Sequence, residues 1–274
     1  MKIDVHTHLV PDRIADRVLQ SMEQMFQWKA PYKNTVAALK AHMHEAGTNK
    51  SIVLGMAQEA RHVRPANDWL ISIADEQLIP FGAMHPDYAD KAGEIRRLRG
   101  AGIKGIKLHP AVNRFYIDDP RLFSMYEEIG DSMVILTHAG KLHADREETL
   151  YAAPDRILQV VQQFPKLRII AAHLGGFYML DEAERTLVGH PRIYIDTTWP
   201  PSIGEVGREV LTKIIRKHGA DKVVFGTDFC LVSQKGDAAV IEQLSISARD
   251  KERILGENAR ELIGLSSVTA PRRA

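Results

Sequence analysis

Residues 132–176 hold the pattern that decides the fold: SMVILTHAG at 132–140, PDRILQVVQQF at 154–164 and LRIIAAHLGG at 167–176. The first and the last are short apolar runs rich in Val, Ile and Leu, as expected of buried strands. The middle segment has apolar residues every three or four positions after a Pro, which is typical of an amphipathic helix. The three segments therefore predict a strand, a helix and a second, parallel strand.

The same pattern recurs along the chain, with helical stretches such as DPRLFSMYEEIG at 119–130 between apolar runs. Eight apolar runs are present: KIDVHTHLV from Lys2, KSIVLGMA from Lys50, LIPFGAMHP from Leu78, GIKGIKLHP from Gly102, SMVILTHAG from Ser132, LRIIAAHLGG from Leu167, RIYIDTTWP from Arg192 and KVVFGTDF from Lys222. Eight alternating strands and helices predict an α/β fold, a single (β/α)8 TIM barrel, with a doubly wound open sheet as the alternative. No low-complexity linker appears, so we expect one domain over residues 1–274.

The composition excludes several classes of partner. The 36 Lys and Arg residues nearly balance the 35 Asp and Glu residues, which argues against nucleic-acid binding by bulk charge. No apolar stretch reaches the roughly 18 residues of a membrane helix, and the N-terminus lacks the layout of a signal peptide. We therefore expect a cytoplasmic protein with no membrane partner. The single Cys230 is expected to be a small buried thiol, and it cannot form an internal disulfide.

The strongest local signal among the twelve histidines is the pair His6 and His8 in the first run. On a strand, residues i and i+2 point to the same face, so both imidazoles can hold one metal ion. His42 and His44 have the same spacing, but AALKAHMHEAG reads as a helix that ends at Gly47. Side chains two residues apart on a helix diverge by about 200°. We expect His42 and His44 to lie on the surface.

Three more candidate ligands follow apolar strands: His138 in ILTHAG, His173 in AAHLGG and Asp228 in GTDF. In a TIM barrel the carboxyl ends of all strands meet at one mouth. Buried imidazoles and carboxylates must be paired or bound to metal, and a divalent cation satisfies several of them together. The alternative is that His173 and Asp228 are hydrogen-bonded core groups. We favour a metal site.

Together, HxH on the first strand, GIKLHP, THAG, AHLGG, GTDF and the closing ILGENARELIGL resemble the amidohydrolase superfamily. The chain is most similar to its amidohydrolase-related (amidohydrolase 2) group, which includes aminocarboxymuconate-semialdehyde decarboxylase, resorcylate decarboxylases and related lactone and amide hydrolases. The resemblance implies a TIM barrel with one divalent metal ion, usually zinc. It implies that the ligands are His6, His8, His138 and Asp228. It also implies that His173 is a catalytic base or electrophile beside the metal.

At several positions this chain differs from other members of the superfamily, and these differences bear on the number of metal ions and on the reaction. Members with two metals bridge them with a fourth-strand Glu or carboxylated Lys, and this chain offers Lys107. A carbamylated Lys107 would bridge a second ion, but we favour one metal because the narrower group commonly leaves this position unmodified. The fourth-strand Glu of TatD-like nucleases is absent. Adenosine deaminases follow the fifth-strand His with Ala-Gly-Glu, whereas Lys141 stands here in place of the Glu.

Several basic and aromatic residues are candidates for substrate binding. Lys107 and His109 have the same parity on the fourth strand, and Arg61 and Arg114 fall in loops that follow strands. Arginine clamps carboxylates well, although both arginines are equally expected to be ordinary solvated charges. Trp199 is expected to shape the pocket or to pack structurally. A mouth of this charge favours a small-molecule substrate that carries a carboxylate or an acidic hydroxyl. A homodimer is left open.

The predicted site supports more than one activity. A metal ion with an open coordination position lowers the pKa of bound water to about 7 and supplies a hydroxide nucleophile. His173 and Asp228 would move the proton, so we expect a hydrolase of an amide, a lactone or a similar carbonyl bond. The first alternative is a metal-dependent decarboxylase of an aromatic or unsaturated carboxylic acid. The second alternative is a non-catalytic binding barrel.

Overall fold

The computed structural model describes residues 1–26, 29–144 and 149–265. All eight predicted strands are present within these ranges, each inside the apolar run that predicted it. Their bounds are β1 Ile3–Thr7, β2 Lys50–Leu54, β3 Leu78–Ala83, β4 Gly105–Leu108, β5 Val134–Thr137, β6 Arg168–Ala171, β7 Ile193–Asp196 and β8 Val223–Val224. The predicted domain includes residues 266–274, which lie outside the described ranges.

The strands form one parallel sheet in the order β1 to β8. The chain closes the sheet where β8 meets β1, because Val5 N donates to Phe225 O at 2.8 Å and Asp228 N donates to His6 O at 2.8 Å. An open doubly wound sheet would have two free edges instead. The predicted TIM barrel is confirmed.

Helices follow the strands and cover the outside of the barrel. The α-helices are α1 Asp12–Phe26, α2 Val36–Ala46, α3 Val63–Ser72, α4 Lys91–Gly100, α5 Pro110–Asn113, α6 Phe123–Ile129, α7 Pro154–Gln163, α8 Leu180–Thr186, α9 Arg208–His218, α10 Gln234–Glu242, α11 Ala248–Glu252 and α12 Asn258–Leu262. Short 3₁₀-helical segments lie at Ala60–His62, Pro120–Leu122, His173–Gly175, Ile203–Val206 and Ala220–Lys222. A π-helical turn lies at Arg253–Glu257. No helix among the described residues is long and apolar enough to cross a membrane.

The strands alternate between an inner and an outer apolar layer. On β5, Val134 and Leu136 belong to the interior cluster, whereas Ile135 packs in the larger cluster beneath the helices. The interior cluster contains Ile3, Val5, Ile52, Leu54, Phe81, Val134, Leu136, Ile170, Ala172 and Val224, with Ala259 and Leu262 of α12 packed against it. Because side chains alternate along a strand, inward residues past the strand ends reach the mouth. His138 therefore continues the inward row of β5.

Strand β1 breaks this alternation. Its pairing with β2 shifts register between Asp4 and Thr7, where three steps along β1 correspond to two along β2. One extra residue in a strand moves every later side chain to the opposite face. Ile3 and Val5 therefore pack in the interior, and His6 also faces the inside of the barrel at the mouth.

The prediction that His42 is on the surface is wrong. His44 is exposed as expected, but the His42 side chain is buried, and its Nε2 accepts a hydrogen bond from Gln234 N at 3.1 Å. Its ring also lies beside Tyr32 and Phe229, with centroids 4.3 and 5.4 Å away. As expected for a helix, the side chains of His42 and His44 point in different directions. Because α2 packs against α10, the face of α2 that carries His42 is buried. Cys230 is buried, as predicted.

Candidate functional site

The polar side chains predicted at the strand ends meet in one cleft at the mouth of the barrel. Among the described residues its lining is His6, His8, Phe26, His109, His138, Leu142, His173, Phe177, Pro200, Asp228 and Leu231. Glycine allows the walls to approach, since a Cβ on Gly226 would lie 3.0 Å from His6 Cβ and 3.4 Å from Asp196 Cβ. The cleft therefore brings together residues that are more than 200 positions apart in sequence.

His6 is oriented by a buried carboxylate. Its Nδ1 lies 2.8 Å from Asp196 Oδ2 and 3.1 Å from Thr198 Oγ1. Asp196 Oδ1 also accepts from the backbone N of His173 at 2.8 Å. A carboxylate on one imidazole nitrogen fixes the tautomer and directs the other nitrogen toward a metal. Asp196 thus positions His6 and His173 together, a role that no motif in the sequence predicts.

A candidate metal site is present. The nearest ligand atoms of His6, His173 and Asp228 all lie within 4.8 Å of one another. Asp228 Oδ1 is 3.8 Å from His6 Nε2 and 3.4 Å from His8 Nε2. His173 Nδ1 is buried and has no hydrogen-bond partner among the described residues. A set of imidazole nitrogens and one carboxylate suits a divalent transition metal, so these residues fit the ion that the resemblance implies.

The imidazoles of the cleft have the protonation state that metal binding requires. Burial, together with the nearby Lys107 ammonium, lowers the pKa of both His8 and His138 to about 3. Burial also holds the pKa values of His6 and His173 well below the ordinary value. A neutral imidazole keeps a lone pair for a metal ion or for an acid proton.

His138 occupies a different position from the other predicted ligands. Its Nδ1 lies 3.0 Å from His173 Nε2, and its Nε2 lies 3.1 Å from the carbonyl oxygen of Lys141. Its ring stacks on His109 with centroids 4.6 Å apart. It therefore contacts the candidate metal group through His173, and its role as a ligand stays a prediction.

Lys107 lies directly beside His6, one of the residues that line the cleft. Its Nζ is 3.2 Å from His6 Nε2, and the side chain is buried. Burial lowers the pKa of Lys107, while the carboxylates of Asp228 and Asp196 oppose that shift. Burial raises the pKa of Asp228, while Lys107 opposes that shift. The ammonium of Lys107 and the carboxylate of Asp228 thus stabilise each other's charged forms.

The backbone around two site residues is strained. His173 has φ 58° and Asp228 has φ 68°, both in the left-handed region that residues other than glycine rarely adopt. Surrounding contacts hold them there, including the bond from His173 N to Asp196 Oδ1. Such strain tends to occur where side-chain direction matters for function. Both residues were predicted to act in catalysis.

The other predicted substrate-binding residues are spread more widely. His109 lines the cleft. Arg61 is exposed and pairs with Glu59 at 3.0 Å, and Arg114 is exposed at the end of α5. Neither arginine lines a cavity that the described part of the chain forms around the mouth. Trp199 is mostly buried, with its ring 4.9 Å from that of Phe177, and it lines a neighbouring cavity.

A second, larger cavity of about 350 Å³ opens from the cleft toward α1. Its lining among the described residues is His8, Leu9, Val10, Arg17, Val18, Ser21, Met22, Met25, Phe26, Asn34, Met56, Gln58, His109, Val112, Asp228 and Leu231. Its volume lies in the range typical of small-molecule sites. No motif in α1 predicts a functional role, because an amphipathic helix at this position is equally expected to cover the barrel.

The sequence of this chain is similar to that of known proteins. The family model described as amidohydrolase matches residues 3–265. A curated relative, 2-amino-3-carboxymuconate-6-semialdehyde decarboxylase of Dictyostelium discoideum, is 28% identical over 235 residues, with 73% of this chain and 65% of that protein covered. The match thus spans just under two thirds of the relative's length.

Solved structures share the fold at low sequence identity. The 2,6-dihydroxybenzoate decarboxylase from Rhizobium has a TM-score of 0.71 at 17% identity, covering 96% of this chain and 98% of that one. The 5-carboxyvanillate decarboxylase of Novosphingobium aromaticivorans, complexed with manganese and 4-hydroxy-3-methoxy-5-nitrobenzoic acid, has a TM-score of 0.71 at 16% identity. There the coverage is 97% of this chain and 96% of the other. At this identity the likeness is one of fold.

Proposed function

Because the chain belongs to the amidohydrolase family, we propose that it is a metal-dependent decarboxylase of a small aromatic or unsaturated carboxylic acid. The observation that carries decarboxylation is the 28% identity to a protein named as a decarboxylase. The fold likeness to two further decarboxylases agrees with it. Hydrolysis, the first expectation from the sequence, becomes the second candidate, because the same donor cluster suits an activated water.

We propose one divalent ion, zinc or manganese, in the cleft. The ligands predicted from the resemblance are His6, His8, His138 and Asp228. The geometry offers His173 in place of His138, since His173 groups with His6 and Asp228. We keep the predicted set, with His173 as a catalytic residue beside the ion, and the metal content of a His173 variant separates the two assignments.

When bound, the ion stabilises negative charge on substrate oxygen atoms as a Lewis acid. The buried Lys107 ammonium and His109 bind and orient the anionic substrate. Asp228 donates a proton to the carbon that carries the carboxylate. The bond between that carbon and the carboxylate then breaks, its electron pair returns to the substrate, and carbon dioxide leaves. His173 Nδ1, which has no partner among the described residues, accepts a proton from the substrate's acidic group.

The test is a substrate screen with two readouts. Purified protein is loaded in parallel with Zn²⁺ and Mn²⁺ and given 2,6-dihydroxybenzoate, 5-carboxyvanillate and 2-amino-3-carboxymuconate-6-semialdehyde, alongside a set of lactones and amides. Release of carbon dioxide from an acid supports the proposal. Acid release from lactones or amides, with no carbon dioxide from any acid, supports the hydrolase instead. Asp228→Asn is the inactive control, and His44→Gln at an exposed position is the active one.

A further inference from the structure

The larger cavity and the metal cleft form one continuous space. They share five lining residues: His8, Phe26, His109, Asp228 and Leu231. A substrate whose carboxylate lies among the histidines of the cleft therefore places the rest of its body in the larger cavity. The residues that line this cavity therefore determine which substrates fit.

One wall of the cavity is the apolar face of α1. Val18, Met22 and Met25 are four and three residues apart, so they lie on one face of the helix. Of the α1 residues only Ala15 is fully buried, and Val18, Met22 and Met25 are half-buried. The described residues thus cover the apolar face of α1 incompletely, and this face is turned toward the space beside the reacting groups.

Most other lining residues of the cavity are also apolar. They include Met56, Val112 and Leu231, beside the polar Ser21, Asn34 and Gln58. The only Lys or Arg side chain among the described lining residues is Arg17, which is exposed at the rim. A cavity that is mostly apolar between the histidines and the solvent-exposed Arg17 favours a ligand that is anionic at the cleft end and apolar along its body.

Methionine supplies three positions of this lining, Met22, Met25 and Met56. Its unbranched, polarizable side chain adapts to irregular apolar shapes. A wall of this kind accommodates apolar groups of several sizes, rather than one fixed outline. It offers no strong interaction to a second carboxylate.

We propose that α1 is the specificity wall of the site, where Met22 and Met25 bind an apolar substituent on the substrate's body. This rests on the proposed function, in that the substrate's carboxylate occupies the cleft. The preferred substrates are monocarboxylic acids with an apolar, alkyl-bearing body. Diacids with a second carboxylate at the far end are poor ligands.

The test measures binding, independently of turnover. Metal-loaded protein is titrated calorimetrically with benzoate and with its 3-alkyl and 4-alkyl derivatives, from methyl to propyl. Each buried CH₂ contributes about 0.8 kcal/mol, so the Kd should fall about fourfold per carbon in one of the two series until the cavity is filled. The matched diacids, isophthalate and terephthalate, should bind more weakly than 3-methylbenzoate and 4-methylbenzoate.

Variants of α1 assign the effect to this wall. Met22→Gln and Met25→Gln keep the length of the side chain and should flatten the dependence of Kd on alkyl length. Met22→Leu should preserve it. Gln20→Ala, on the exposed outer face of the same helix, should leave it unchanged. Melting temperatures within a few degrees of wild type show that each variant is folded.

The outcomes separate this inference from the proposed function. A flat dependence in wild type, tighter binding of the diacids, unchanged slopes in both Met→Gln variants, or no binding by any benzoate overturns the specificity wall. A steep dependence that the Met→Gln variants flatten, in a protein that releases no carbon dioxide from any acid, keeps the wall and removes the decarboxylase.

Discussion

Two regions bound the candidate site, and they are built in opposite ways. At the seam between β1 and β8, buried Asp4 accepts hydrogen bonds from His6 N, Thr227 N, Thr227 Oγ1 and Gln234 Nε2 at 2.6–3.1 Å. Beside the same mouth, α1 presents half-buried Val18, Met22 and Met25 to an open cavity. The seam fixes the backbone beside His6 and Asp228, whereas the α1 wall can adapt.

We therefore expect the buried seam to support the reaction and the α1 wall to select the substrate. A ligand set for a metal tolerates little displacement, so its supporting groups are buried and hydrogen-bonded. An apolar wall gains binding energy from area and needs no fixed geometry. Variants at the seam and in the cleft should therefore change metal binding and turnover. Variants in α1 should change only the choice of substrate.

The largest effect is expected at His173. His173→Ala should keep the fold and most of the metal, yet lose about 10³ in turnover, within the usual range for a general acid or base. Metal content by elemental analysis and kcat on the substrate found in the screen are the measurements. Loss of the metal instead would make His173 a ligand together with His6 and Asp228.

Asp196 should have the next largest effect, although it is not a predicted ligand. Asp196→Asn removes the charge on Asp196 Oδ2, which lies 2.8 Å from His6 Nδ1. Loss of such an outer partner typically lowers metal affinity or activity about 10- to 100-fold. Competition with a chelator measures the affinity. Unchanged affinity would mean that Thr198 and the barrel alone orient His6, and would weaken the contrast with α1.

His218, a buried histidine that does not line the cleft, makes the stability of the fold depend on pH. His218 Nδ1 accepts from Gly189 N at 3.0 Å, its Nε2 has no partner in the described chain, and burial lowers its pKa to about 4. The unfolded chain takes up this proton below pH 6.5, and the folded chain does not. His218 thus makes the protein lose stability as the pH falls below 6.5.

Urea unfolding at pH 8 and pH 5 measures that loss. Between these two pH values, wild type should lose about 2 kcal/mol more than His218→Gln. His44→Gln, at an exposed position, is the matched control and should behave as wild type. Equal losses in wild type and His218→Gln would show that the folded protein protonates His218 readily.

The smallest effect is expected in the α1 wall. Met25→Ala removes a half-buried side chain that faces a cavity, so no new enclosed void forms. Its cost in unfolding free energy should be below about 1 kcal/mol, well under the 2–5 kcal/mol of a core Met→Ala change. Metal content should match wild type. A core-sized loss would show that α1 is held as firmly as the seam.

Much of the fold could be predicted from the sequence, because the period of the apolar residues is a local property. The run SMVILTHAG already places Leu136 and His138 on one face of a strand. Its position at the end of that strand indicates the mouth of the barrel. The same reasoning found His109, which lines the cleft, and Lys107, which lies beside His6.

Local pattern was insufficient where a long-range contact decides. His42 is buried because α10 packs on α2, almost 200 residues away in sequence. Asp196 looked like an ordinary strand residue, yet it orients His6 from across the barrel. Arg61 was a candidate carboxylate clamp because it is an arginine in a loop that follows a strand. In the structure it is exposed and paired with Glu59.

By itself, the sequence determined the strand order, the family and most of the polar residues of the cleft, because periodicity and short motifs are written along the chain. The tertiary structure decided which of those side chains face one another. A one-residue bulge in β1 turns His6 inward after Val5, and closure of β8 on β1 brings Asp228 within 3.8 Å of it. Such distances depend on packing between distant segments, which no local pattern encodes.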